Sequence, residues 1–316
     1  MKLFENINSI DTPFNNAVVT IGNFDGVHKG HQKLLNTVKK KAEALGGTAI
    51  AITFEPHSLR VLKEDAIIHH ITLFEQKKEL LAATNLDALI CIPFTKEFAS
   101  VTAAEFVDDI LVKKIGMKAI IVGKDYTFGK GREGNIDFLK QRGDNAGFEV
   151  IVEDWKHIDG CTERISSTRI RSLISEGNME EAEKMLGRHY QVRGTVLSGR
   201  DRGGKLLGFP TANISLMDEL RPKNGVYAVT VILGHATYNG VANIGFSPTF
   251  GDREFTVEVH ILDFNADIYG EKIKVNFISR LRDEIKFSGV QELSEQIKED
   301  IVSARKILGS GLLLNE

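Results

Sequence analysis

Val18-Val-Thr-Ile-Gly-Asn-Phe-Asp-Gly-Val-His-Lys-Gly-His31 is the stretch around which the chain is organised. Val18 to Ile21 is a β-branched apolar run bounded by Gly22, the pattern of a buried parallel strand. Gly22, Asn23, Asp25 and Gly26 follow as a turn. Leu34, Leu35, Val38, Ala42 and Leu45 then recur at helical spacing and stop at Gly46-Gly47. His28 and His31 fall on one face of the first turn of that helix. Free backbone N–H groups and the helix dipole draw anions to such a turn, and Gly30 leaves a ligand room beside the backbone. The stretch reads as a phosphate site with two added imidazole donors.

Outward from it, strands and helices alternate to about residue 186. Thr48 to Phe54 is a second apolar strand, ended by Glu55-Pro56-His57 because Pro56 cannot continue a ladder. Residues 75–84 predict a helix and Leu86 to Ile92 a strand. Thr102-Ala-Ala-Glu105 matches a capping box ahead of the stripe Val107, Ile110, Leu111 and Ile115, with Gly116 as the C-terminal cap. Lys118 to Val122 is another buried strand, leading into a glycine-rich loop from Gly123 to Gly134. A helix near 135–142 and a strand over 148–153 complete the series. Such alternation implies a parallel sheet covered on both faces, with ligands beyond the carboxyl ends of its strands. The loops at His28, Phe54 and Gly123 should therefore meet at one crevice. In Arg164-Ile-Ser-Ser-Thr-Arg-Ile-Arg171, a hydroxyl of Ser166, Ser167 or Thr168 caps a helix, and three arginines add charge suited to a polyphosphate. Asn178 starts a short helix that ends near Gly187.

Beyond Gly187 the pattern changes. Tyr190 to Leu197, Gly225 to Leu233, Tyr238 to Ile244, Phe255 to Phe264 and Lys272 to Ile278 read as strands between Gly, Pro, Asn and Asp turns. Alternation in Thr256-Val-Glu-Val-His-Ile261 argues for an antiparallel sheet or closed barrel, with Thr256, Glu258 and His260 on one face. A helix over about 290–307 follows, and Gly309 to Glu316 look frayed. A basic glycine loop, Gly199 to Gly208, runs into Phe209-Pro-Thr-Ala-Asn213. Such a loop closes over phosphates, while a hydroxyl and an amide oxygen hold a magnesium ion or a hydroxyl group.

The 316 residues predict two domains, 1–186 and 187–316. A net charge of −3 supplies no polycation for nucleic acid. The N-terminus lacks the apolar core of a signal peptide, and no apolar run reaches the ~18 residues of a membrane span. Cys91, in an apolar strand, and Cys161, in a polar loop, point to reduced thiols of a cytoplasmic protein. His69-His70 is spaced as a loop pair rather than a metal pair.

His-x-Gly-His at this place resembles the nucleotidyltransferase superfamily. With Thr53-Phe-Glu-Pro-His57, Val122-Gly-Lys-Asp-Tyr-Thr-Phe-Gly129, Arg164 to Arg171, Gly208 to Asn213, Asn243 to Phe250, Val257 to Phe264 and Leu281 to Phe287, almost the whole chain resembles the bacterial bifunctional riboflavin kinases/FMN adenylyltransferases. Glu55, Ser58, His189, Ser198 and Gly204-Lys205 depart from the family's usual residues. The resemblance implies an N-terminal doubly wound parallel sheet and a C-terminal antiparallel β-barrel with a terminal helix. It implies riboflavin plus ATP giving FMN in the second domain, and FMN plus ATP giving FAD and pyrophosphate in the first. His28, His31 and Glu258 are the implied catalytic residues. Gly22, Phe24, Asp25, Gly26, Arg164, Ser167, Thr168, Arg171, Gly208 and Thr211 would bind ATP or its phosphates. Phe54, Pro56, His57, Asp125, Phe128 and Arg282 would bind flavin, and Thr211 and Asn213 a magnesium ion (Mg2+). The implied partners are riboflavin, FMN and ATP, without nucleic acid or membrane; oligomeric state is left open.

Overall fold

A computed structural model describes residues 1–62, 69–157, 163–197, 208–216, 218–246 and 255–310. Cys161, Ser198, Lys205, most of the basic loop before Gly208, the end of the Asn243–Phe250 motif and the last six residues lie outside them. The chain forms two compact units, Met1–Ser167 and Thr168–Glu316.

In the first unit the apolar runs become β1 (Lys2–Phe4), β2 (Ala17–Ile21), β3 (Ala49–Glu55), β4 (Ala88–Pro93), β5 (Met117–Gly123) and β6 (Glu149–Glu153), in the order β1-β4-β3-β2-β5-β6. All neighbouring pairs are parallel. The helices are α1 (Lys29–Ala44), α2 (Ser58–Leu62), α3 (Phe74–Ala82), α4 (Lys96–Ala99), α5 (Ala103–Glu105), which runs on as a wider coil Phe106–Ile115, and α6 (Ile136–Ala146). Strand alternation explains the unbroken apolar runs: Val18, Ala49 and Ala119 join Leu35, Val38, Ala42 and Leu81 in one buried cluster. Val19, Ile50 and Ile120 join Leu111, Ile115 and Leu139 in another. Because both faces are covered, nothing polar needs to interrupt the strands. The Thr102 capping box and the left-handed Gly116 cap form as expected. β2 lies where the strand order reverses, with β3 and β4 to one side and β5 and β6 to the other. A crevice opens beyond the carboxyl ends of strands at such a switch point.

The second unit begins with α7 (Ser167–Glu176), whose first residue belongs to the unit before, and α8 (Met179–Leu186). The division therefore falls before these helices, whereas the change in sequence pattern falls after them. Met179, Ala182, Met185 and Leu186 are buried, and α8 packs on β7 and β12. The antiparallel strands are β7 (Tyr190–Thr195), β8 (Ala212–Ser215), β9 (Gly225–Leu233), β10 (Ala236–Phe246), β11 (Phe255–Ile261) and β12 (Lys272–Arg282), ordered β7-β12-β9-β10-β11-β8. A bridge between Leu197 and Asn213 joins the two edges and nearly closes a barrel. β8 was not expected from the sequence; four residues after Pro210 are too few to show alternation. Tyr227, Val229, Val257, Val259, Val275 and Phe277 fill its interior. α9 (Val290–Ser310) covers one side, its Ala304 and Leu308 clustering with Val226, Ala228 and Val241.

Arg282 pins α9. Its Nε and Nη2 donate to the two carboxylate oxygens of Asp300 at 2.8 and 2.7 Å. Both side chains are largely buried, at 18% and 6% exposure. Asp300→Ala should strip a buried guanidinium of its counter-charge and cost about 3–5 kcal/mol. Urea unfolding followed by far-UV circular dichroism should show that loss in the barrel transition.

Candidate active sites

The turn after β2 is held in an unusual shape. Phe24 and Val27 have φ of 47° and 39°, and Gly26 has 84°. The buried Asp25 carboxylate fixes this shape by accepting from the backbone N–H groups of Ile71 and Thr72 at 3.2 and 3.1 Å. Thr72 Oγ1 in turn accepts from Gly26 N at 3.0 Å. The Asp25 side chain is thus committed to the segment before α3, while its carbonyl accepts from Ser167 Oγ at 2.9 Å. Phe24 is 2% exposed, packs in the core under α1 and meets His31 edge-on at 5.3 Å.

α1 starts at Lys29, so His28 is its cap rather than a member of its first turn. His28 Nδ1 accepts from His31 N at 3.3 Å, which leaves the proton of the neutral ring on Nε2. One imidazole thereby caps the helix and keeps a donor. The His28 and His31 rings stack at 3.6 Å with a 16° tilt. Burial first, then the charges of His28 and Lys77, hold the His31 pKa well below the usual histidine value. His31 Nδ1 is buried without a hydrogen-bond partner. Gly30 has a role the sequence reading placed on the ligand: a Cβ there would stand 3.1 Å from both Nδ1 and Cε1 of His28.

The other expected residues of this unit gather at the same sheet edge. Phe54, at the end of β3, stands 5.9 Å from Phe98, which leads through Phe106 at 6.1 Å to Phe128 at a further 5.8 Å. The loops after β3 and β5 therefore share one aromatic file, ending in Tyr126 stacked on Phe128. β3 ends at a cis Glu55–Pro56 bond. His57 is buried, takes the Leu59 N–H on Nδ1 and lies 5.7 Å from His70. Arg164 donates to Asp125 at 2.6 Å and lies over the Trp155 ring at 4.1 Å. Gly22 N donates to Ile52 O, tying the turn to β3. Thr168 and Arg171, at the start of α7, fall in the second compact unit.

Two residues here escaped the sequence reading, Thr72 and Lys77, and His70, read only as one of a loop pair, stands beside His57. Thr72 carries no local signal. Lys77 sits four residues before the buried Leu81, on the apolar stripe of α3, and a lysine on such a stripe is the one sign that was legible.

In the barrel, Glu258 of β11 is directly paired with Asn213 of β8 on one side and Asn243 of β10 on the other. Paired residues share a face, so these three polar side chains form a row across the sheet. Burial alone pushes the Glu258 carboxyl up from the usual carboxylate range. His260, on the same face, has its Nδ1 2.8 Å from Pro210 O and takes the Phe209 ring edge-on at 5.6 Å. These contacts lay the segment from Gly208 (φ 78°) to Thr211 along the strand that carries Glu258. Arg282, expected at the flavin, is occupied by Asp300 as described above.

A parallel α/β unit with stacked histidines at a helix start, followed by a barrel with a half-buried carboxylate, defines a nucleotidyltransferase joined to a small-molecule kinase. The FAD synthetase family model matches residues 11–169, and the riboflavin kinase family model residues 186–308. The chain is 38% identical over 311 residues to the bifunctional riboflavin kinase/FMN adenylyltransferase of Escherichia coli strain K12, covering 98% of each. It is 38% identical over 288 residues to that of Listeria monocytogenes, covering 90% of each. A solved structure named as a macrolide-efflux protein from Streptococcus pneumoniae superposes with a TM-score of 0.86 at 36% identity, covering 96% of this chain and 98% of that one. The chain belongs to the family of bifunctional riboflavin kinases/FMN adenylyltransferases. It converts riboflavin and ATP to FMN in its C-terminal unit, and FMN and ATP to FAD in its N-terminal one. Among the described residues, no helix is long and apolar enough to cross a membrane.

Gly30→Ala tests the packing of the cap. The added methyl should displace the His28 ring by a few tenths of an ångström and lower FAD synthesis up to about tenfold, a fraction of the ~10²-fold loss that a 1 Å misplacement brings. Riboflavin phosphorylation by the same preparation should be unchanged.

Proposed function

We propose that adenylyl transfer occurs at the start of α1, with His28 and His31 as catalytic donors. The stacked pair beyond the switch-point strand is the observation that carries this reading. The FMN phosphate attacks the α-phosphate of ATP. It is already an anion, so no general base is needed. His28 Nε2–H and the His31 ring donate to phosphate oxygens as charge builds on them, and the helix N–H groups add to the same field. Ser167 and Arg164 are assigned to the leaving pyrophosphate; Arg164 exchanges Asp125 for it, since a guanidinium fork suits either anion. Gly22, Phe24, Asp25 and Gly26 shape the turn that receives the nucleotide. Phe54, Pro56, His57, Asp125 and Phe128 bound the flavin side. His28→Ala or His31→Ala should cost about 3 kcal/mol of transition-state stabilisation, the usual loss for one preorganised donor. The loss should fall on kcat for FAD and spare FMN formation. Parallel loss of both activities with melting temperature would instead mark the histidines as structural.

For the kinase, Glu258 takes the proton of the ribityl hydroxyl as that oxygen attacks the γ-phosphate of ATP. A half-buried carboxyl whose pKa is raised by burial is a stronger base than an exposed one. The adjacent donors fit a magnesium ion: a Thr211 hydroxyl and an Asn213 amide oxygen are hard, neutral ligands that leave most of its shell to water and ATP phosphates. Bound there, Mg2+ would neutralise charge on the transferring phosphoryl group. Gly208 gives the phosphates close approach. Dependence on ATP and a reduced thiol fit the cytoplasm; the Cys91 thiol is free, and burial pushes it up to about 11.

Glu258→Gln should lower FMN formation by about 10²–10⁴ while leaving adenylylation of supplied FMN intact. The raised folded-state pKa means that ionised Glu258 costs the barrel stability, a cost that appears as pH rises through that pKa and is absent below the unfolded value. The inactive variant should therefore melt no lower than the parent at pH 7. In the parent, phosphorylation should fall off on the acid side above the ordinary range of an exposed glutamate. Scanning calorimetry and a pH–rate profile check both.

A further inference from the structure

Beneath the nucleotide turn lies a cation that the reaction as described does not use. The Lys77 side chain is 5% exposed, and its ammonium stands 3.7 Å from Glu55 Oε2 at the end of β3. It donates to Asn23 O at 3.3 Å and lies 5.6 Å from the Phe74 ring. That is one hydrogen bond and one long ion pair for three donors, a thin compensation for a buried ammonium. Its surroundings are specific. Asn23 O also accepts from Thr53 Oγ1 at 3.4 Å, and the Asn23 amide donates to Ser58 Oγ at 3.2 Å. The turn is thus sewn to the loop after β3. Five to six residues before Lys77, the same chain segment is clamped to Asp25 by the N–H groups of Thr72 and Ile71. α3 therefore carries the ammonium to a fixed place between the nucleotide turn and the flavin loop.

We propose that Lys77 is a positioning residue for adenylyl transfer: its buried ammonium locks the Gly22–Asn23 turn to the end of β3 and supplies a fixed positive charge behind His31 for the incoming polyphosphate. It touches neither substrate and acts through the turn and through His31. The inference rests on the placement of adenylyl transfer at His28 and His31. Among the described residues, the titratable groups that bear on His31 are the stacked His28 and Lys77; the turn presents the Phe24 ring. The Lys77 charge also opposes protonation of His70. Removing it should let His31 protonate at higher pH, while a guanidinium in its place should not.

The test uses the full chain as Lys77→Met and Lys77→Arg, with FMN plus ATP assayed for FAD and riboflavin plus ATP for FMN. Lys77→Met should lower kcat for FAD at least tenfold and move the acid limb of its pH profile upward. The His31 ring titration, followed by NMR of labelled histidine, should move the same way. Lys77→Arg should keep the parent's acid limb and His31 titration even if its turnover is partial. Riboflavin phosphorylation should be unchanged in both. If Lys77→Met does not fold, Glu55→Gln is read instead: it leaves the ammonium with less counter-charge and should move the His31 titration downward. An unshifted pH profile and His31 titration in a folded Lys77→Met, or in Glu55→Gln, overturn the proposal. His31→Ala separates the two readings: if it leaves FAD synthesis intact, the site assignment fails; if it cripples synthesis while Lys77→Met does not, only the role of Lys77 fails.

Discussion

Burial of the Asp25 carboxylate sets the geometry of the nucleotide turn. A carboxylate taken out of water is costly unless its oxygens are hydrogen-bonded, and here two backbone N–H groups and the Thr72 hydroxyl meet it. Those contacts hold Phe24 and Val27 at positive φ, which costs a residue with a side chain about 1–3 kcal/mol each. Everything downstream inherits that shape. Phe24 is turned into the core, where it props His31, and Val27 delivers His28 to the cap position of α1. The strain and the clamp belong together: without Asp25 the turn relaxes, and the two imidazoles lose their stacking.

The two units handle phosphate by different physics because their nucleophiles differ. In the first, the nucleophile is already charged, so the proposed site needs donors at a helix start rather than a general base. In the second, a neutral hydroxyl must lose its proton, and the proposed base, Glu258, is a carboxylate whose pKa is raised by burial. The barrel suits this task. Its register places Asn213 and Asn243 on either side of Glu258, so neutral amides flank the proposed base.

Much of this was legible in the chain. The β2 run, the turn and the stripe of α1 announced a switch-point site, and the Thr102 box and Gly116 marked a helix at both ends. Glu258 interrupts an apolar alternation, a pattern that left its burial open, and the structure half buries it. What escaped was non-local. Asp25 meets residues 46 and 47 positions away, and Arg282 meets Asp300 18 positions away, separations at which no periodicity speaks. The family resemblance implies Arg282 at the flavin; its planar fork is paired with Asp300. The affiliation of α7 and α8 was hidden for a related reason. An amphipathic helix states that it has a partner face, and says nothing of which sheet covers it.

The neutrality of His31 has a mechanistic consequence. Enzymes gain rate only from interactions that strengthen between ground and transition state. An imidazolium at the start of α1 would bind the full charge of ATP before reaction and of pyrophosphate after it, deepening both wells as well as the barrier top. A neutral imidazole draws less on the resting charge, and its donor gains as charge concentrates on the α-phosphate during attack. Burial and the neighbouring ammonium of Lys77 both push His31 towards that neutral form. In the proposed site, Lys77 adds to the arginine charge a positive charge that is fixed beneath the turn by Asn23 and Glu55, where it cannot move to follow the substrate. Electrostatic stabilisation of that kind needs no reorganisation at the moment of reaction, which is the condition under which a buried charge contributes most.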